Sequence, residues 1–180
     1  MRIKKNDSLL LFIDVQEKLF PHIHQHFELE KKLNQLVEGM QVLEIPILVS
    51  EQYTKGLGKT ISSISEKLDK EIPTFEKMTF SCLRNTELAT AIEQSGKRTI
   101  ILAGIEAHIC VLQTALDLCE EGFDVALVLD AVGSRTEENK SVSVLRLQHK
   151  VAFTSVESVL FELCKEAGTE QFKAISKIIK

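Results

Sequence analysis

The feature that most constrains this chain is a recurring alternation of short, continuous apolar runs with longer helical patterns. Ser8–Asp14 (SLLLFID), Pro46–Ser50 (PILVS), Arg98–Gly104 (RTIILAG), Asp124–Asp130 (DVALVLD) and Val151–Ser155 (VAFTS) are the runs. Each is apolar at successive positions rather than at alternate ones, which is how a strand buried on both faces reads. A weaker strand is expected at Thr74–Met78. The stretches between the runs carry helical periodicity, at Glu28–Leu43, Thr86–Gln94, Ala107–Glu121, Glu137–Gln148 and Val156–Lys165. An amphipathic terminal helix is expected at Thr169–Lys180. Gly96 and Gly122 suit helix C′ positions, while Thr136 and Ser155 suit N-caps.

Strand and helix in alternation imply βαβ units, hence a sheet covered by helices on both faces. The expected architecture is α/β, a three-layer α-β-α arrangement around a central, mostly parallel six-stranded sheet. At 180 residues one domain, 1–180, accommodates the chain. A formal net charge of -4 argues against a nucleic-acid partner, which needs clustered Lys and Arg. No apolar run approaches the roughly 20 residues of a membrane span. Two lysines precede Leu9–Ile13, but that stretch is shorter than the roughly 7–15 residues of a signal h-region and ends in Asp14. A cytoplasmic protein is the expectation. The four cysteines, Cys82, Cys110, Cys119 and Cys164, are widely spaced and read as free thiols.

Ligands of such sheets bind beyond the carboxyl ends of the strands. There the first strand ends in Asp14, the weak strand reaches Lys77, and the Arg98–Gly104 strand is followed shortly by Cys110. Cys110 lies in GIEAHICVLQTAL, at the start of a helix, where free backbone N–H groups and the helix dipole favour thiolate and can hold an oxyanion. The bland alternative is a buried, inert cysteine. Asp14 closes an apolar strand and is suited to take a thiol proton, with a turn or cap role as its alternative. Lys77 can pair with Asp14 and favour the thiolate, or be a surface lysine with a buried stem.

LLLFIDVQ, SEQYTKGLGKT, FEKMTFSCL and GIEAHICV, in this order, resemble the isochorismatase-like (cysteine hydrolase) family from about Leu9 to Ser155. The resemblance implies an Asp–Lys–Cys catalytic triad at Asp14, Lys77 and Cys110. It also implies a non-proline cis peptide between Ile105 and Glu106, and an oxyanion hole from the amides of Glu106 and Cys110. Nicotinamidase-type members carry an Asp-x-His metal motif after the second strand. Here SEQYTKGLG has no histidine, so no metal or other cofactor is expected and nicotinamide is not the expected substrate. Isochorismatases that cleave a vinyl ether do not rely on the cysteine, so its presence points to a small-molecule amide or carbamoyl substrate and a thioester intermediate. The closest resemblance is to the metal-free isochorismatase-domain proteins. Phe20, Gln52, Tyr53 and Phe80 are candidate pocket walls. Family members often form dimers or larger homo-oligomers, and FKAISKIIK is a candidate interface segment.

Two other classes of reading stand beside the hydrolase: a catalytically degenerate binding or scaffold protein, and a redox-active thiol protein. YTKGLGKT ends like a phosphate-binding loop, but Tyr53 replaces its first glycine. His22, His24 and His26 (HIHQH) read as a polar surface segment rather than a metal site. His108 is two residues from Cys110, where helical side chains diverge, so it reads as structural or as a contact at the pocket mouth.

Overall fold

A computed structural model describes residues 1–180. Six strands form one sheet: β1 (Ser8–Ile13), β2 (Ile47–Gln52), β3 (Thr74–Lys77), β4 (Thr99–Ile105), β5 (Asp124–Gly133) and β6 (Ala152–Thr154). Their spatial order is β3-β2-β1-β4-β5-β6, and every pairing is parallel. The sheet is therefore all-parallel, where the sequence suggested mostly parallel. Parallel pairs need crossovers, supplied by α1 (His26–Val42), α4 (Thr86–Gln94), α5 (Leu112–Glu120) and α6 (Glu137–Leu147). Short helices α2 (Thr54–Leu57) and α3 (Ser62–Ser65) sit between β2 and β3, and α7 (Val156–Cys164) and α8 (Glu170–Ile179) close the chain.

Successive strand residues point to opposite faces, and β1 shows the consequence. Leu10 and Phe12 enter one core with Leu33, Leu36 and Met40 of α1 and Leu160 of α7. Leu9, Leu11 and Ile13 enter the other with Leu88 of α4 and Ala115 and Leu118 of α5. Two apolar layers, one on each face, explain why β1 reads as a continuous run. Thr136 and Ser155 cap their helices by accepting from the amides of Asn139 and Ser158. Gly96 and Gly122 follow α4 and α5 with φ of 65° and 82°.

Two boundaries differ from expectation by more than two residues. The helix expected from Ala107 to Glu121 opens with a wide π-type turn over Ala107–Val111, and α5 begins only at Leu112. β5 runs on to Gly133 past a register shift between Leu102 and Gly104 of β4. At Gly104, φ is 125° and an added Cβ would collide with the backbone of Ile13, so glycine is what lets β1 and β4 pass this closely. β1 and β4 are where the winding direction reverses, the place where open α/β sheets leave a crevice.

Candidate active site

Asp14 leaves β1 with φ of 53°, a left-handed conformation that aspartate tolerates better than most residues. Its amide still donates to the Ser50 carbonyl at 3.0 Å, and its side chain is fully buried. Lys77 ends β3, two strands away from β1, so roughly 10 Å of sheet separates their backbones. A long side chain is required to cross that gap, and Lys77 crosses it: Nζ donates to Asp14 Oδ2 at 2.6 Å, with both side chains inaccessible to solvent. Nζ also donates to Gln52 Oε1 at 2.8 Å and to the Thr79 carbonyl at 3.2 Å. An ammonium has three hydrogens, and all three are committed. Lys77 is thus not the surface lysine of the bland reading.

Cys110 sits in the π-type turn after β4, buried to 7% exposure. The peptide bond between Ile105 and Glu106 is cis. Burial works against the thiolate that the helix start favours. Burial, followed by the adjacent Asp14 carboxylate, pushes the Cys110 thiol far above its ordinary value, and Lys77 opposes this without overcoming it. Burial also pulls Lys77 down, but Asp14, Cys110 and Cys82 together leave it raised. Beside the buried Lys77–Asp14 contact, then, burial works against ionisation of the Cys110 thiol. At this depth desolvation outweighs the helix start.

The remaining candidates separate. Gln52 belongs to the cluster: besides accepting from Lys77, its Nε2 donates to the Met78 carbonyl at 3.0 Å. Tyr53 and Phe80 are exposed at 43% and 54%, each next in the chain to the site's polar residues or close to them. Phe20 lies in the α1-side core, edge-on to His26, where packing accounts for it. His22 and His24 are exposed, and His26 packs on Phe27 as well. His108 turns to the other side of the turn, with Nδ1 3.0 Å from Ser134 Oγ and 3.6 Å from Glu106 Oε2. Burial holds it below its ordinary value, ahead of the opposing effect of Glu106. Glu106 is gripped by Arg135 Nε, 3.0 Å from Oε1.

Sequence reasoning missed two buried residues, Ser50 and Gln16, and read Cys82 only as a free thiol. Ser50 donates to Asp14 Oδ1 at 2.7 Å. Gln16 donates to the carbonyls of Gln52 and Gly58 and accepts from the Gln52 amide, tying the loop after β1 to the loop after β2. Cys82 lies within 3.6 Å of Ser50 Oγ, and burial pushes its thiol up to about 11. Ser50 and Gln16 are polar residues bordering apolar runs, the same signal that singled out Asp14.

The isochorismatase domain family matches residues 8–158. The secreted isochorismatase effector Isc1 of Phytophthora sojae is 39% identical over 99% of this chain and 87% of its own length. The structure described as MAR1 ribonuclease from Caenorhabditis elegans is 33% identical, with a TM-score of 0.93, covering 99% of this chain and 92% of that one. The YcaC gene product of Escherichia coli, described as an octameric hydrolase of unknown specificity, is 21% identical and shares the fold at a TM-score of 0.94 over 99% and 89% of the two chains. With the all-parallel sheet and the full-length similarity on hand, this chain belongs to the isochorismatase family of hydrolases.

Proposed function

We propose that the chain hydrolyses a small amide or carbamoyl compound through a thioester on Cys110, with Asp14, Lys77 and Cys110 as the catalytic triad. The observation that carries this reading is the 2.6 Å Lys77–Asp14 pair, closed off from solvent, beside a buried thiol. Burying both charges is costly unless they are paired and hydrogen-bonded, and a thiol held neutral needs a base at the moment of attack. Asp14 removes the Cys110 proton as Sγ attacks the carbonyl carbon. The backbone amides of Glu106 and Cys110 hold the oxyanion. As the C–N bond breaks, Asp14 returns the proton to the leaving nitrogen, giving ammonia or an amine and a thioester. Asp14 then deprotonates a water that attacks the thioester, and the thiol leaves protonated. Lys77, its hydrogens already spent, acts as a fixed positive charge and not as a proton donor. Gln52, Tyr53 and Phe80 border the substrate.

Cys110 as nucleophile requires a reduced thiol, and all four cysteines are free, which supports a cytoplasmic setting. Exposed Tyr53, Met78 and Phe80 support self-association at this end of the sheet, read directly by sedimentation velocity. A panel of small amides, carbamoyl compounds and an RNA oligonucleotide, offered to wild type and Cys110→Ala, tests the reaction. Amine or ammonia release by wild type and its loss in the variant are expected, with the RNA left intact. Turnover that survives in Cys110→Ala overturns the reading.

A further inference from the structure

Ser50 stands fully buried on β2, opposite Ile13 in the β1–β2 register. That register fixes the serine against the residue that follows Ile13. The Asp14 amide donates to the Ser50 carbonyl at 3.0 Å, and the Ser50 hydroxyl donates back to Asp14 Oδ1 at 2.7 Å. Ser50 is the donor, because the carboxylate paired with Lys77 has no proton to offer. The lone pairs of Ser50 Oγ then accept from the Cys82 thiol at 3.6 Å. Cys82 is fixed in turn, its amide donating to Thr114 Oγ1 at 3.0 Å, four residues beyond Cys110. Asp14 therefore meets Ser50 from β2, Lys77 from the end of β3, Cys110 from the turn after β4, and Cys82 from the segment between β3 and α4. Alanine would satisfy packing at position 50, whereas a buried hydroxyl is costly unless it is hydrogen-bonded.

We propose that Ser50 is a positioning residue of this site: its hydroxyl and the Lys77 ammonium each pin one oxygen of Asp14, fixing the carboxylate's rotation towards the Cys110 thiol. Lys77 alone leaves the carboxylate free to turn about its bond to Cβ; a second donor, on the other oxygen, removes that freedom. The inference rests on the Asp14–Lys77–Cys110 reading and adds a fourth member that acts only through Asp14.

The test reads alkylation of Cys110 by 2-chloroacetamide as a function of pH, located by peptide mapping, so no natural substrate is needed. Ser50→Ala should move the acid limb of the rate profile to higher pH by about one unit, the expected effect of losing one hydrogen bond to a charged group. Ser50→Cys fills the same space with a weak donor and should reproduce the shift, which separates the effect from a cavity. Ser50→Thr keeps the hydroxyl and should restore the wild-type limb. In an Asp14→Asn background, Ser50→Ala should change nothing further. Wild-type profiles for Ser50→Ala and Ser50→Cys, with an altered one for Asp14→Asn, overturn the role of Ser50 and leave the triad standing. An Asp14→Asn profile identical to wild type overturns both.

Discussion

At the scale of single residues, the site is a problem in burying charge. Lys77 and Asp14 are sealed from solvent and satisfy each other, so removing one leaves the other unpaired. Lys77→Met should destabilise the protein by about 3–5 kcal/mol, measured by urea denaturation at neutral pH. Burial of ionisable groups points to alkaline sensitivity. Folding raises the values of Lys77, Cys110 and Cys82 above their ordinary 10.5 and 9.0. The stability each contributes is complete below the unfolded value and lost as pH rises towards the folded one. Stability should thus begin to fall above pH 9, as unfolded thiols ionise before folded ones. Cys82→Ala should flatten the part of this fall between pH 9 and about 11, measured as melting temperature against pH. Asp14, Lys77 and Cys110 were legible because each interrupts or follows an apolar run. Ser50 carries the same signal at the end of PILVS, but only the register with β1 reveals what its hydroxyl faces. The desolvation of Cys110 was not legible either, because its depth of burial is a property of the assembled fold.

At the scale of elements, the carboxyl ends of β1, β2, β3 and β4 do the placing. The β1–β4 crossing depends on Gly104, whose φ of 125° and contact with the Ile13 backbone exclude a side chain. Gly104→Ala should cost on the order of 3 kcal/mol or prevent folding. Gly96→Ala, at φ of 65° with open space around it, should cost about 1 kcal/mol. Paired melting curves of the two variants check this, and equal losses would deny Gly104 its special place. The segment after β2 shows why YTKGLGKT is not a phosphate loop. Glu51, buried, accepts from the Thr60 amide and hydroxyl at 2.7 and 2.8 Å, and Gln16 holds the Gly58 carbonyl at 2.7 Å. These contacts fold the run over the sheet edge, where its lysines face outward. Strand positions and helix caps were readable from periodicity and end chemistry. The π-type turn at Ala107–Val111 was not, because it differs from an α-helix by one hydrogen-bond step while its apolar pattern is the same.

At the scale of the molecule, the all-parallel order β3-β2-β1-β4-β5-β6 puts Asp14 and Cys110 on either side of the switch between β1 and β4. Lys77 then reaches in from an edge strand. This explains why a cysteine, an acid and a lysine separated by 63 and 33 positions in the chain meet at one point, and why the alternation of runs was enough to predict on which edge to look. A cleft of 510 Å³ lined by Leu83, Arg84, Ile92, Asp117 and Phe123 lies elsewhere and contains none of the three. The proposed site rests on its chemistry, not on cavity size. Helices longer and more apolar than any here would be needed to cross a membrane.

The central claim is a covalent acyl enzyme on Cys110. Its most direct measurement is acid-quenched mass spectrometry of the protein mixed with a turned-over amide or carbamoyl compound, followed by peptide mapping. The account predicts an adduct of the acyl fragment's mass on the peptide containing Cys110, absent from Cys110→Ala. Release of product from Cys110→Ala at the wild-type rate, with no adduct on wild type, would contradict it.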